Sequence, residues 1–424
     1  MKFFFFLLGF IFLLSLSAQE QDFLDWDIDK IFDEIFEEEH LEEAETSTSV
    51  TTVERLLRQR GFTFDASYRF AAGFSNGWFE SPFVSQTEND FYIRDYYLEY
   101  IIAMSNSFTV DAQFSEVFRA ISTIYFQIPS FSISLGDFFF DYIFYKTVFI
   151  RAGKYNHSWG NSPNFGFTNL LARVPVNSYG GDSFILKADV PVGIGGVQIL
   201  TLTRANLLGG AIPKTADFGF GAKYNLALRI ADFNTGVFYQ DDMPIRGFLS
   251  IKTTFKKTEL FNEWLLAIDT NQQYKTSFAT SIGFARDFFN NKLSVNGELF
   301  FNTEGDAYWY RPESWLQDSE VLPLVESLNT ALNFLYRFGG KNNPRLFVQT
   351  RYALSQNSAL VIPGFSMNLL PNLDLYFSAP MALGSKDGHY YLNTVHFGEN
   401  NRPLPFSVVM LLSLSGSVQF GHYY

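Results

Sequence analysis

Three features of the sequence predict an all-β fold, a transmembrane antiparallel up-and-down β-barrel of about 18 strands. Apolar and polar residues alternate with a period of two through segment after segment from residue 62 onward. Aromatic residues make up 18% of the chain and 50 residues are Phe, yet after the first residues no apolar run reaches the ~20 residues that a spanning helix needs. The alternating segments are joined by connections that are short and long by turns. Successive side chains of a strand point to opposite faces, so each segment has one greasy and one polar face. A soluble sheet packs only one face of each strand on a core and would struggle to hide so many aromatics. A barrel in lipid places them outside and keeps water inside. The mean hydropathy of zero excludes a bundle of membrane helices.

The first element is a signal. Lys2 precedes an apolar run from Phe3 to Leu14, and Ser15, Ser17 and Ala18 follow. One charge, a short apolar core and a small-residue exit predict a secretory signal peptide over residues 1–18. The run of about 12 residues is too short for a membrane anchor.

The second element is acidic. Residues 20 to 45 hold 13 acids and one lysine, whereas the chain from residue 46 onward carries 29 bases and 31 acids. The formal net charge of −13 therefore belongs almost wholly to one short segment. Within it Leu24, Ile28, Ile31, Phe32, Ile35 and Phe36 fall on one helical face, with acids on the other. Residues 19–45 are read as an amphipathic periplasmic segment and 46–61 as a linker. A solvated tail, a helix docking on a periplasmic partner or on the barrel's own mouth, and a plug inside the lumen are all consistent with this pattern. Anionic headgroups repel such a helix.

The barrel follows over 62–424. In the first strand, near 62–74, Phe62, Phe64, Ala66, Tyr68, Phe70, Ala72 and Phe74 share one face. Further strands are predicted near 91–104, 107–118, 122–136 and 147–155, with a turn at Ser105-Asn106 and a long apolar turn over 137–146. Then come 183–190, 194–204, 217–229, 233–240, 246–256, 259–269, 276–287 and 292–302. The last group is 327–338, 345–355, 359–369, 373–380 and 408–424. The count is 18. Weak patterns at 122–136 and 373–380 leave 16 as the alternative, and YYLNTVHF at 390–397 is a further candidate strand. Bacterial single-chain barrels have even counts, and 16 to 18 strands enclose room for an aqueous channel.

In the final segment Val408, Met410, Leu412, Leu414, Gly416, Val418, Phe420, His422 and Tyr424 share a face, and the last residue is aromatic. Over residues 62–424 the pattern resembles the bacterial outer-membrane β-barrel proteins of porin type. The resemblance implies that Phe420 and Tyr424 form the signal read by the barrel-assembly machinery, although Tyr replaces the usual final Phe. RAGKYNHSWGNSPNF at 151–165, with Asn169 to Leu171 beyond it, is similar to a turn of some porin-type channels. That resemblance implies that the connection 156–182 folds inward and constricts the pore, with Trp159, Gly160 and Arg173 as its candidate residues.

Strand alternation puts a set of charges on the polar, inward face. The bases are Arg69, Arg151, Lys187, Arg204, Lys223, Arg229, Arg246, Lys252, Arg337 and Arg351; the acids include Asp95, Glu99, Asp111, Glu263 and Glu298. Rings of charge tune ion preference in a pore. The alternative is that these groups pair across the lumen and hold it together.

No enzyme is expected. Gly73-Phe-Ser-Asn-Gly77 matches the serine-hydrolase elbow but lacks its strand–turn–helix context. The five histidines show no metal-ligand spacing, and the absence of cysteine excludes disulfides, thiolate zinc sites and a lipid-anchored N-terminus. No cofactor and no nucleic-acid partner is expected. The expected partners are outer-membrane lipid, the assembly machinery and, as a candidate, a second copy of the chain. The predicted function is passive diffusion of small hydrophilic solutes. The alternatives are a selective transporter of a hydrophobic ligand with residues 22–45 as a hatch, for which Phe238, Phe248 and Phe300 supply apolar inward residues, and a closed structural or adhesive barrel.

Overall fold

The computed structural model describes residues 61–78, 96–128, 131–160, 162–165, 168, 170–171, 184–203, 205, 207, 212–241, 243–269, 275–303, 328–340, 342–354, 356–385, 396–397, 402–403 and 406–423. The signal, the acidic segment and the linker assigned to residues 1–60 lie outside them.

The strands run β1 Gly61–Trp78, β2 Tyr96–Ser115, β3 Phe118–Ile128, β4 Ser132–Phe144, β5 Val148–Lys154 and β6 Phe184–Val192. They continue with β7 Gly195–Thr203, β8 Phe218–Ala227, β9 Asp232–Gln240, β10 Ile245–Phe255, β11 Thr258–Asp269 and β12 Lys275–Phe288. The last are β13 Leu293–Asn302, β14 Leu328–Arg337, β15 Arg345–Ala353, β16 Ser358–Leu370, β17 in two pieces, Leu373–Ser378 and Met381–Gly384, and β18 Phe406–Tyr423. Both pieces of β17 pair with β16 and with β18 in one continuous register, so the 19 paired segments make 18 strands. Pro380, which has no N–H to give, sits at the break.

Each strand is antiparallel to the next, and β1 pairs with both β2 and β18, from Gly61 opposite Tyr423 to Trp78 opposite Phe406. Closure leaves no free edge, the condition for crossing lipid with strands. With 18 strands both ends of the described chain lie at one rim. The connections at that rim are short, from two residues, as at Glu116-Val117 and Lys256-Lys257, to seven between β14 and β15, while the connections of more than ten residues all leave the opposite rim.

The outward face is greasy. Phe62, Phe64, Tyr68, Phe70 and Phe74 of β1 are all exposed, and a row of ring contacts runs from Phe62 through Phe114 and Phe118 to Phe140 across four strands. At the long-loop rim Trp78 packs on Phe406, with ring centroids 4.9 Å apart. Outward aromatics toward both rims match the girdles of barrels that sit in a bilayer.

The early strands differ from expectation, although the count of 18 is as predicted. Residues 96–115 form one strand, with no turn at Ser105-Asn106. Ser107 instead faces Ser67 across the sheet, with hydroxyls 2.7 Å apart, so pairing along the full strand overrides the turn preference of Asn. Residues 122–136 belong to two strands, and the break falls after Ile128, where the sequence reads Pro129-Ser130. A bulge opposite Ser122–Ile124 shifts the phase of β4, which masked the break in the alternation. Residues 137–146 are no apolar turn, because Phe138, Phe140, Tyr142 and Phe144 are the outward face of β4 and only Tyr145–Thr147 turn the chain. The residues His396–Phe397 pair with Arg402–Pro403 as a two-residue ladder apart from the barrel sheet.

Candidate functional site

The lumen is occupied along one wall by the chain that follows β5. The candidate constriction residues Trp159 and Gly160 lie on it. Trp159 is 2% exposed, and Phe165, Leu170 and Leu171 are buried with it against Leu200, Leu202, Phe238, Phe248, Leu265 and Phe300 of the barrel wall. The Trp159 ring packs on Phe248 at 5.6 Å, and the Phe165 ring stacks on Phe300 at 5.1 Å. The inward phenylalanines that a hydrophobic hatch would have used are thus the seat of this loop.

Glycines make the seat. A Cβ on Gly221 of β8 would lie 2.6 Å from the outer edge of the Trp159 ring, so only glycine lets the indole reach the wall. Gly160 turns the loop with φ near +92°, and a Cβ there would collide with Thr168.

Polar contacts fix the loop's rotation. The Trp159 indole N–H donates to Oε1 of Gln198 at 2.6 Å, and Nε2 of His157 lies 2.9 Å from the same oxygen. An amide oxygen only accepts, so Nε2 carries the proton. Gln198 in turn donates to Asp189 at 2.7 Å. Burial, together with Lys187 and Lys223 nearby, holds the His157 pKa down at about 4, against a weaker opposing pull from Gln198 and Asp189. His157 is therefore neutral at pH 7.

Further round the wall two carboxylates anchor the loop. Glu263 of β11 is fully buried and accepts from Thr168 of the loop and from Ser250 of β10 at 3.0 Å. Glu298 of β13 accepts from the Ser162 hydroxyl at 2.6 Å and from the Asn164 backbone N–H at 3.2 Å. Asn164 and Asn296 both accept from Asn333 of β14, at 2.7 and 2.9 Å. One loop thus touches strands from β7 to β14.

Below the loop, toward the short-turn rim, the wall from β2 to β8 carries a row of opposite charges. Arg119 of β3 makes a two-point ion pair with Asp111 of β2, its Nε 2.7 Å from Oδ1. Arg151 of β5 makes another with Asp141 of β4, at 2.7 and 3.0 Å, and lies 4.1 Å over the Phe139 ring. Lys187 pairs with Asp189 on the same strand at 2.9 Å. In the register Arg119, Asp141, Arg151 and Lys187 are successive cross-strand neighbours, and Gln198 lies opposite Lys223. Arg119, Asp141, Arg151, Lys187 and Asp189 line a cavity of about 230 Å³.

The remaining candidates are scattered. Arg69 occupies an inward position opposite Ser105 and Ser415, and Arg351 one opposite Ala331 and Leu360. Arg246 is fully buried, with its guanidinium 5.0 Å over the Phe238 ring. Lys252 pairs with Glu259 at 3.1 Å, and Arg337 donates to Ser294 at 2.7 Å. Arg229 is no lumen residue: β8 ends at Ala227, and Arg229 is exposed in the turn that follows. Phe420 faces outward opposite Phe64 and is 65% exposed. Asp95, Arg173, Arg204 and the side chains of Glu99 and Tyr424 lie outside the described residues.

Sequence reasoning missed Arg119 and Asp141 because the misplaced early strands put both in connections. The alternation of Phe138, Phe140 and Tyr142 was the signal that would have placed Asp141 on the inner face.

A second inner surface is apolar. Phe347 of β15 stacks on Tyr376 of β17 with ring centroids 5.6 Å apart, over Gly364, and Ile101, Val409 and Leu411 are buried with them. The lumen thus has a charged wall, a wall built up by the loop, and an apolar wall. Among the described residues no group of His, Asp or Glu has the spacing to hold a metal ion.

No family model matches the chain, and no curated protein matches its sequence. Solved structures do match its fold. The chain is similar to Acinetobacter baumannii OccAB4, with a TM-score of 0.53 and 9% identity over 86% of this chain and 99% of that one. It is similar to Pseudomonas aeruginosa OpdO, with a TM-score of 0.53 and 10% identity over 85% of this chain and 97% of that one. A third is the outer membrane protein opdK from Pseudomonas aeruginosa, with a TM-score of 0.50 and 8% identity over 84% and 99% of the two chains. At such identities the likeness is one of fold, and it spans the barrel from end to end.

Proposed function

We propose that the protein is a bacterial outer-membrane channel for passive diffusion of small hydrophilic solutes, narrowed by the loop that follows β5. The observation that carries the reading is a closed 18-strand barrel, greasy outside, with a row of charges along its inner wall. Eighteen strands are more than side chains alone fill. An inner row of ions is costly in a closed, dry lumen and stable in a wet one. The similarity to an outer membrane protein in fold agrees with this placement.

The inward loop sets the width. Its buried side of Trp159, Phe165, Leu170 and Leu171 grips the wall, and its polar contacts with Gln198, Glu263 and Glu298 hold it along the wall from β7 to β13. The charged row offers alternating cations and anions to a passing solute, which favours polar and zwitterionic molecules over apolar ones. The short-turn rim faces the periplasm, as in other outer-membrane barrels. Gly61, where the described chain begins, lies at that rim, which supports a periplasmic place for the acidic segment.

Single-channel conductance of the refolded mature protein in a planar bilayer tests the reading. Steps on the order of a nanosiemens, expected for a wide barrel, support it. A folded, heat-modifiable barrel that stays silent with and without residues 20–45 overturns it.

A further inference from the structure

The tight turns of one rim carry an unusual residue choice. Lys256 and Lys257 join β10 to β11 as a two-residue turn with φ of 48° and 66°. Tyr145 and Lys146 turn the chain between β4 and β5 with φ of 47° and 57°. Both central residues of such a turn need positive φ, which Asn and Gly supply at least cost. Lysine and tyrosine there are strained, and strain that persists marks a side chain kept for a purpose.

The purpose is suggested by the neighbours. Each strained turn sets an exposed aromatic beside an exposed cation: Tyr145 with Lys146, and Phe255 with Lys256, whose Nζ lies 5.3 Å over the Phe255 ring. The next turn of this rim repeats the arrangement. Arg286 lies 4.7 Å over the Phe288 ring, Phe289 is 72% exposed, and Lys292 ends the turn. Among the described residues none of these cations makes an ion pair with a carboxylate.

We infer that this arc of the short-turn rim, from the β4–β5 turn to the β12–β13 turn, is a binding belt for the phosphate of anionic phospholipid. The aromatics lie in the interfacial girdle, where ring bodies sit at headgroup depth, and lysine and arginine stems reach from there to the phosphates. The acidic segment of residues 20–45 is the competing occupant by charge. The chain leads to it from Gly61 on β1, outside this arc, and acidic residues give the outward aromatics no reason to be there. The inference rests on the membrane placement proposed above and on nothing about conductance.

The test compares the mature protein with the variant Lys146→Asn, Lys256→Asn, Lys257→Gly. These replacements suit positive φ, so they relieve the turns rather than burden the fold. Lipid retention is measured by native mass spectrometry after reconstitution in phosphatidylcholine containing phosphatidylglycerol. At about fivefold per lysine near the membrane surface, the variant is expected to bind phosphatidylglycerol roughly a hundredfold more weakly. High salt is expected to weaken binding to the wild type. Equal retention by wild type and variant overturns the belt while leaving the membrane placement intact. Retention that appears only after deletion of residues 20–45 assigns the cations to the acidic segment and overturns the lipid as occupant. A wild type that does not insert into the vesicles at all overturns the placement and the belt together.

Discussion

Replacing Trp159 with alanine should undock the inward loop without unfolding the barrel. The ring is 2% exposed and packs on Phe248, with its edge over Gly221. Truncating a buried aromatic costs ~3–5 kcal/mol, and loss of the indole hydrogen bond to Gln198 adds ~1 kcal/mol. Gln198 keeps its contact with His157, so its oxygen is not orphaned. A loss of at least ~4 kcal/mol raises the fraction of time the loop is open by roughly a thousandfold or more. Hydrogen exchange over residues 156–171 reads this directly, since exchange through local opening scales with that fraction. Exchange in β1 and β18 should not change, because their pairing runs nowhere near Trp159. In a planar bilayer the variant should show larger and noisier conductance steps. Loop exchange within threefold of wild type would refute the reasoning, because the loop would then be held by something other than its buried ring.

Glu298→Ala removes the acceptor for Ser162 and Asn164, two charge-assisted hydrogen bonds worth ~1.5–3 kcal/mol each; exchange in the loop should accelerate by at least ~150-fold. Lys187→Gln with Lys223→Gln leaves Asp141 and Asp189 on the charged wall, so the reversal potential under a salt gradient should move toward cation preference, most clearly at low ionic strength. Acid should loosen the loop through His157. Its pKa is about 4 when docked and near 6.5 when free, so the undocked form binds the extra proton. The stability tied to its neutral form is complete above pH ~6.5 and is lost as pH falls toward 4. Loop exchange, corrected for intrinsic rates, should therefore rise over that window in the wild type and rise less in His157→Gln.

The barrel was legible in the sequence because its physics is local. A strand half in lipid and half in water must alternate, and from β6 to β16 the predicted strands end within two residues of the observed ones. The inward parity of Arg69, Lys187, Lys223, Glu263 and Glu298 follows from that alternation alone. Legibility failed where the period broke. The bulge in β4 adds one residue opposite β3, and a single added residue reverses every face beyond it. Arg229 was misplaced for a related reason, because apolar Leu228 and Ile230 extend the pattern of β8 past its last paired residue.

The sequence by itself determined the class of fold and the greasy outer face, since each depends on neighbours along the chain, and it narrowed the strand count to 16 or 18; pairing round the closed sheet fixed it at 18. Which charges meet was decided by the tertiary structure. Arg119 finds Asp111, and Arg151 finds Asp141, through register between strands, which no single segment encodes. The seat of the loop was decided there too: Ser162 and Glu298 lie 136 residues apart in sequence and 2.6 Å apart in space. Closure of the sheet brings distant strands round one lumen, and only then does a loop that leaves β5 have a far wall to rest on.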